Sequence, residues 1–411
     1  MHLFRPKSKD TALKAAASRT RCPRRQQPGL EALEGRRLLS LGPEFLANTT
    51  TRNAQFESDN ASARNGISVI VWTDTFSNTD HDIRAQMLNA DGTKRGSELV
   101  VEFTSADARN PAVAMDDTGN FVVVWQQTVN GQTDILAQRF SSMGAKLGGV
   151  IQVANSPSNE FDPDVAMDAN GNFVVSNTFT FSATDQDLHA RRFSSSGSLL
   201  QTIVVASSGI ANETRSSVAM GPGGNFVVAY QTQVGTLDQN IRLNGYSAAG
   251  TLLANQQIAG STARELNPSV ALDDFNEAVV VYEKVDGSGF SDIKARRVSN
   301  TGSLRGGEIT ITSLGGVSEV APTVAMKRGG VGGGPSSFVV AYSIFTNGFK
   351  VGVTEVSASD VPVAQGPLFG LDGANIAPAL SIDGHGNYLL TYTGTTGNND
   401  QNIHLRRGRL S

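Results

Sequence analysis

Apolar and polar positions along this chain repeat with a period of about fifty residues. Residues 110–125 have the sequence Asn-Pro-Ala-Val-Ala-Met-Asp-Asp-Thr-Gly-Asn-Phe-Val-Val-Val-Trp, and related segments recur along the chain. Positions equivalent to the end of this segment are residues 72, 125, 177, 230, 282, 342 and 392. Chance similarity does not keep register over six such intervals, so the pattern indicates a tandem array of seven units.

Each unit contains the signals of four β-strands. A short apolar segment and a Gly-containing turn lead into a nearly continuous apolar run, such as residues 121–125. A third strand begins near an Asp, as at residues 134–140, and a second Gly turn opens a fourth strand, as at residues 150–154. Continuous apolar runs are typical of strands covered on both faces. Four antiparallel strands, repeated seven times, predict an all-β fold, a single seven-bladed β-propeller.

The two ends of the repeat array complement each other. The last unit ends at Ser411 after its third strand, and residues 42–50, which precede the first unit, match the fourth-strand pattern of residues 149–156. We therefore predict that the last blade is closed by an N-terminal outer strand, which leaves no exposed sheet edge. An open solenoid is the alternative, and it would leave these fragments unexplained. The predicted propeller spans residues 41–411.

Composition and charge exclude several classes of protein. The 411 residues include one cysteine, Cys22, so an intramolecular disulfide framework and a multi-cysteine metal site are excluded. Residues 1–40 contain ten Lys or Arg and three Asp or Glu, whereas residues 41–411 contain 24 basic and 35 acidic residues. This acidic body offers no basic patch for nucleic acid. We expect a monomer.

Residues 1–40 predict a basic, largely disordered leader that ends in a motif. Residues 30–40 have the sequence Leu-Glu-Ala-Leu-Glu-Gly-Arg-Arg-Leu-Leu-Ser. This stretch resembles the LEPR-XLL motif, which follows the basic leader of exported, repeat-rich bacterial surface proteins. The resemblance implies a sorting role, and its matched positions are Leu33, Glu34, Arg36, Leu38 and Leu39. We accordingly expect an extracellular or cell-surface location, although no apolar run is long enough for an ordinary signal peptide or a transmembrane segment.

Carboxylates recur in the loop before the first strand of several units. Propellers commonly bind ligands on the face that carries this loop, so four acids around one axis could hold a cation or a basic partner. The alternative is that each acid braces the repeat by binding backbone amides or an Arg of a neighbouring blade. Asn177 replaces the Trp or Tyr of the other units and is a further candidate. The four acids are Glu160, Glu213, Glu265 and Glu319.

Acids in the first hairpin turns raise the question of calcium. Each turn offers one or two carboxylates, fewer than the six to eight oxygens that calcium prefers, and a Gly-closed hairpin turn explains them better. We therefore predict no cofactor and leave calcium as a hypothesis for testing. The five histidines are scattered, and the sequence contains no nucleophile elbow, zinc-binding helix or phosphate loop.

These observations favour a non-catalytic binding or structural propeller outside the cell. Its partner would be a cell-envelope protein, a glycan or a cation at the acidic loop face. The alternative is a propeller-type polysaccharide hydrolase or lyase. Hydrolysis would require two carboxyls roughly 5 to 10 Å apart over a central pocket.

Overall fold

The computed structural model describes residues 41–182, 184–209, 211–235, 238–328, 335–346, 348–365, 369–370, 377–395 and 400–410. All regular secondary structure in these ranges is β-strand. The predicted leader, residues 1–40, and its motif at residues 30–40 lie outside the described residues. In chain order the strands are β1 (Phe45–Leu46), β2 (Gln55–Ser62), β3 (Ser68–Ser77), β4 (Asp80–Leu88), β5 (Lys94–Glu102), β6 (Asp107–Met115), β7 (Phe121–Val129), β8 (Gln132–Phe140), β9 (Lys146–Ala154), β10 (Glu160–Met167), β11 (Phe173–Ser182), β12 (Asp185–Phe193), β13 (Leu199–Ala206), β14 (Glu213–Met220), β15 (Phe226–Gln233), β16 (Gln239–Tyr246), β17 (Leu252–Ala259), β18 (Glu265–Leu272), β19 (Ala278–Val285), β20 (Ser291–Val298), β21 (Leu304–Thr312), β22 (Ser318–Met326), β23 (Phe338–Thr346), β24 (Gly348–Val356), β25 (Pro362–Gln365), β26 (Phe369–Gly370), β27 (Ala379–Ile382), β28 (Asn387–Thr395) and β29 (Gln401–Arg409).

The strands pair as antiparallel blades, which confirms the predicted all-β propeller fold. Three sheets, β10–β13, β14–β17 and β18–β21, each contain four strands in chain order, and β22–β25 are joined by β26 beside β24. Strands β2–β9 form one sheet of eight, whose halves β2–β5 and β6–β9 are linked by a one-residue parallel bridge between His81 and Asp107. Pairing thus gives six sheets among the described residues, and counting the two halves separately gives the seven units of the sequence repeat.

The last blade combines both ends of the array, as the sequence predicts. Strands β27, β28 and β29 form its inner part, and β1 pairs with β29 as the outer strand, with Phe45 opposite Leu405. The side chain of Asn48 accepts a hydrogen bond from the Ile403 amide at 3.0 Å and donates one to Asn402 Oδ1 at 2.7 Å. Both partners are more than 350 residues away in sequence, so these bonds close the ring.

Apolar packing between neighbouring blades forms the core. The second strand of each unit is covered on both faces; Val122, Val123 and Val124 of β7, for example, are fully buried. Stacked aromatic pairs strengthen individual blades, as between Phe121 and Phe140, whose ring centroids are 4.8 Å apart. Because each continuous apolar strand packs against the blades on either side, the hydrophobic effect is shared around the ring.

In four units, an aspartate holds the first hairpin turn through hydrogen bonds, namely Asp116, Asp168, Asp273 and Asp383. Asp116 Oδ1 accepts hydrogen bonds from the amides of Thr118 and Asn120 at 2.8 and 3.0 Å. Gly119 follows with φ at 93°, a conformation that glycine adopts without strain. The turn acids therefore stabilise the hairpin through local hydrogen bonds, as the sequence indicates.

The lower end of the central channel lies at these hairpins and is lined mainly by apolar side chains, with Asn60, Ser62, Arg328 and Ser381 as polar members. A cavity of about 180 Å³ is bordered there by Met115, Met167, Met220, Leu272 and Met326, which hold equivalent positions in successive units. Ion pairs link hairpins of different units at this end. Arg64 contacts Asp274 at 3.0 Å and Asp117 at 3.3 Å, and Arg328 contacts Asp117 at 2.9 Å. We call the apolar ring and these ion pairs the lower end.

Candidate functional site

A second cavity, of about 470 Å³, opens at the other end of the channel, where the innermost strands begin. Its rim contains one equivalent residue from each of six units, and these residues differ widely in chemistry. A strand start repeated around one axis thus brings charged, amide and methyl side chains to a single opening. We call this ring the upper mouth; its members are Glu57, Asn110, Asp162, Arg215, Asn267 and Ala321.

Every residue of the upper mouth has a left-handed backbone. Their φ angles lie between 49° and 55°, although none is a glycine. The pairing of the first hairpin shifts register at this point, as between Arg109 and Ala112, which marks a β-bulge. Such backbone conformations cost of the order of 1 to 3 kcal/mol each and are concentrated at functional sites in proteins. The strained ring therefore marks the upper mouth as the candidate site.

Hydrogen bonds from neighbouring blades hold the strained residues in place. Gln126 Oε1 accepts from the Asp162 amide at 3.2 Å, and Glu283 Oε1 accepts from the Ala321 amide at 2.8 Å. At the first blade, the side chain of Glu57 itself accepts from the Asn110 amide at 2.9 Å. Because each bond crosses between two blades, the geometry of the mouth depends on the closed ring.

Two carboxyls farther along the innermost strands have strongly raised pKa values. Burial, together with the neighbouring charge of Asp164, raises the pKa of Asp59 to about 7, and burial raises that of Asp164 to about 6. Each carboxylate also accepts a hydrogen bond at 2.8 Å from a backbone amide of the innermost strand of the following unit. Asp59 accepts from Val113, and Asp164 accepts from Val218. Carboxyls that titrate near neutral pH can donate and accept protons in catalysis.

Arg215 supplies positive charge to the otherwise acidic rim. Its side chain is exposed. Burial raises the pKa of Asp162 and of Glu283 above their usual values, and the positive charge of Arg215 offsets part of this rise for both carboxyls. The mouth therefore holds an exposed cation beside carboxyls that retain their protons more readily than free ones.

The four predicted loop glutamates lie outside the upper mouth. Each is buried near the start of its unit's first strand, and burial raises the pKa of each, to about 7 for Glu319. Glu160 accepts from the Ser156 amide at 3.2 Å, and Glu319 from the Leu314 amide at 3.0 Å. Glu265 accepts from the Ser261 amide and hydroxyl, and Glu213 from the Thr232 hydroxyl. This geometry matches the alternative in which the acids brace the repeat by accepting hydrogen bonds from nearby backbone amides and hydroxyls.

Asn177 is buried within the third blade rather than at the channel. Its Oδ1 accepts a hydrogen bond from Arg191 Nη1 at 2.7 Å, and its Nδ2 donates to the Thr178 carbonyl at 3.1 Å. Burial lowers the pKa of the Arg191 guanidinium. The amide thus partners a half-buried arginine at the position that an aromatic residue holds in other units.

Sequence reasoning did not identify the upper mouth, although the repeat carries a signal for it. Four of the six residues directly precede a proline, namely Asn110, Asp162, Asn267 and Ala321, and Asn and Asp are enriched among left-handed residues. The remaining positions differ from this pattern while the residues around them repeat. The residue type at this one position changes from unit to unit, although the segment around it repeats. That variation is the sequence signal that could have indicated the site.

The described residues contain no group of three or more His, Cys, Asp or Glu side chains placed to hold a metal ion. The same residues include no helix of the length and hydropathy required to cross a membrane.

The fold and its central channel define the class of protein as a β-propeller with an accessible upper mouth. Three solved structures share this architecture: an ulvan lyase described as a new family of polysaccharide lyase, an α-L-arabinofuranosidase from Fusarium graminearum in complex with an iminosugar inhibitor, and a protein of unknown function from Dyadobacter fermentans. Their TM-scores are 0.56, 0.53 and 0.52, at 12%, 13% and 12% identity. The alignments cover 86%, 73% and 91% of this chain and 95%, 92% and 99% of theirs. No protein-family model and no curated sequence matches the chain.

The comparisons correct the main functional prediction. We expected a non-catalytic binding or structural module, but two of these three propellers are enzymes, a polysaccharide lyase and an arabinofuranosidase. By this comparison that expectation is wrong. At these identities the likeness establishes the fold alone.

Proposed function

We propose that the protein is a polysaccharide hydrolase or lyase whose active site is the upper mouth. The observation that carries the proposal is Asp162, a carboxyl on the strained rim with a raised pKa and Arg215 beside it. A carboxyl whose pKa is raised by burial holds its proton more readily and can protonate the departing sugar oxygen. The enzymes that share the fold support carbohydrate as the substrate class.

The residues of the mouth provide the parts that either reaction requires. In hydrolysis, Asp162 would act as the acid, and Asp164, which lines the same cavity, would act as the second carboxyl. In a lyase reaction, Arg215 would offset the charge of a uronate carboxylate while a neighbouring carboxylate removes the adjacent proton. As the double bond forms, the C–O bond to the departing sugar breaks and Asp162 protonates its oxygen. Both schemes place the cleaved bond over the channel.

The test is cleavage of polysaccharides by the full chain. Neutral arabinans and uronate-containing polymers would be incubated with the protein, with calcium and with chelator, and new reducing ends would be measured. A lyase also produces an unsaturated uronide that absorbs ultraviolet light. We expect Asp162→Asn to lose activity by about 100-fold or more. The matched control, Asp91→Asn on an exposed lower turn, should retain it. Full activity of Asp162→Asn, or no cleavage of any polymer, would contradict the proposal.

We also propose that residues 30–40 direct the protein to the cell surface. The support is the match at Leu33, Glu34, Arg36, Leu38 and Leu39 together with the basic residues that precede it. Replacing Leu38 and Leu39 by Ser should retain the protein inside the cell, as measured by fractionation. Unchanged surface display of this variant would contradict the sorting role.

A further inference from the structure

One position in the third strand distinguishes the fourth unit from the other six. The residue at this position pairs with the second residue of the apolar second strand. In the second unit this residue is Arg139, which pairs with Val122, and in the fourth unit it is Gly245, which pairs with Val227. Six units have a long side chain at this position, whereas the fourth has glycine. The six are Met87, Arg139, Arg192, Arg297, Glu355 and Arg407.

The arginines at this position fill the space between one blade and the next. Arg139 donates to the Ser196 carbonyl at 2.5 Å, and Arg407 donates to the Ala90 carbonyl at 2.6 Å. Arg192 and Arg297 bind the carbonyls of Ala248 and Ser357 in the same way. All four carbonyls belong to the second hairpin turn of the following blade. The side chain therefore packs across the gap and satisfies a turn carbonyl.

Gly245 leaves this gap empty between the fourth and fifth blades. A cavity of about 250 Å³ lies there, bordered by the turn at residues 299–302. Among the described residues, no side-chain hydrogen bond reaches the carbonyls of Ser299, Asn300 or Thr301, the turn residues equivalent to those that the arginines bind. The apolar part of the lining includes Leu243, Tyr246, Leu253, Leu272 and Val298.

We propose that this cavity binds a small neutral molecule with an apolar body and one hydroxyl or N–H donor. Cavities of roughly 150 Å³ with aliphatic linings accept a benzene ring, so the volume is sufficient. The donor would bind a turn carbonyl, as the arginines do in other blades. No carboxylate lines the cavity. A buried cation would therefore lack a counter-charge, which favours a neutral ligand.

Phenol and toluene are suitable probes because they have similar size and differ in the hydroxyl donor. Binding to the full chain would be measured by ligand-observed NMR titration. We expect saturable binding of phenol at one site, about tenfold tighter than toluene. Gly245→Arg should weaken phenol binding by about tenfold or more, because the new side chain would occupy the gap as Arg139 does.

The backbone at Gly245 has room for a side chain, so Gly245→Arg can test the cavity without displacing the strand. A Cβ atom at Gly245 would meet Ala254 Cβ at 3.5 Å, an ordinary contact, so the backbone accepts a side chain. The matched control is Gly149→Arg on an outer strand, where a Cβ meets nothing within 4 Å; it should bind phenol like the original protein. Arg192→Gly should open an equivalent gap between the third and fourth blades and add a second phenol site.

Three outcomes would overturn the proposal. They are no saturable phenol binding to the original protein, equal phenol binding by Gly245→Arg, and toluene binding as tight as phenol binding. If Gly245→Arg fails to fold, Gly245→Met provides the same test, because Met87 fills this position in the first blade. Circular dichroism would establish the fold of each variant. Polysaccharide cleavage takes no part in this readout, so the cavity and the upper mouth are tested independently.

Discussion

The two ends of the central channel are built from the same innermost strands, yet they differ in what the repeat keeps constant. At the lower end, four of the seven equivalent positions are methionine, Leu272 and Ile382 are aliphatic substitutes, and the first unit has Ser62; the methionines are Met115, Met167, Met220 and Met326. At the upper mouth, equivalent positions carry acid, amide, guanidinium and methyl groups. The contrast teaches that uniform positions build the ring, whereas varied positions on a uniform backbone provide the candidate chemistry.

The backbone follows the same division. Most described lower-end turns place glycine where φ is positive, as at Gly119, with Asn276 and Asp360 as exceptions, whereas all six residues of the upper mouth in that region are other than glycine. Backbone strain is therefore less frequent where the residues only pack than where they meet the cavity. At the upper mouth the side chains differ from unit to unit, whereas the left-handed backbone is the same in all six. This combination is expected of a functional site built on a rigid scaffold.

The largest expected effect is a loss of stability at the lower end. Met326→Ala removes a side chain that is 2% exposed, and we expect the free energy of unfolding to fall by about 2 to 5 kcal/mol. Cleavage at the upper mouth should be unchanged in the folded protein. Chemical denaturation measures the first effect, and the polysaccharide assay measures the second.

Met143→Ala is the matched control for this prediction. Met143 is 76% exposed, so its truncation should change the free energy of unfolding by less than about 0.5 kcal/mol. Equal effects of the two substitutions would remove the distinction between a packed lower end and the rest of the surface. A loss of cleavage by folded Met326→Ala would show that the two ends are coupled.

The next effect concerns pH and the carboxyl of Asp59. Its pKa is about 7 in the folded protein and about 4 in an unfolded chain. Between these values the folded protein holds a proton that the unfolded chain has lost, so raising the pH through this window lowers the free energy of unfolding. Asp59→Asn should remove this dependence and raise stability at pH 8 by roughly 2 to 4 kcal/mol.

Denaturation at several pH values would measure this effect. Asp164→Asn is the graded comparison, because the pKa of Asp164 is about 6; its stabilising effect should be smaller and complete at a lower pH. Near pH 4 both variants should match the original protein. A stabilisation that is the same at pH 4 and pH 8 would contradict the titration of these carboxyls.

The sequence predicts the scaffold well because the scaffold repeats. Seven copies of one pattern indicate the strands, the turns and the closure by residues near Phe45, all of which depend on local periodicity. The upper mouth depends instead on a β-bulge and on hydrogen bonds between blades, such as Glu283 to Ala321. The bulge recurs with the repeat, but the side chains that it presents vary from unit to unit and therefore have no periodic signature. Recurrence directed attention to Glu160 and its equivalents, whose carboxyls brace loops, because a repeated residue is easier to recognise than a varied one.

The smallest effect tests the strain itself. Ala321 has φ at 51°, which glycine adopts without the contact of Cβ, so Ala321→Gly should relieve strain. The greater entropy of glycine in the unfolded chain offsets part of this gain. We therefore expect a net stabilisation below about 1 kcal/mol in thermal denaturation. Ala112→Gly is the matched control two positions beyond the equivalent residue of its unit; φ is not positive there, so this change should destabilise. If Ala321→Gly destabilises as much as Ala112→Gly does, the left-handed ring carries no strain, and the backbone contrast between the two ends of the channel disappears.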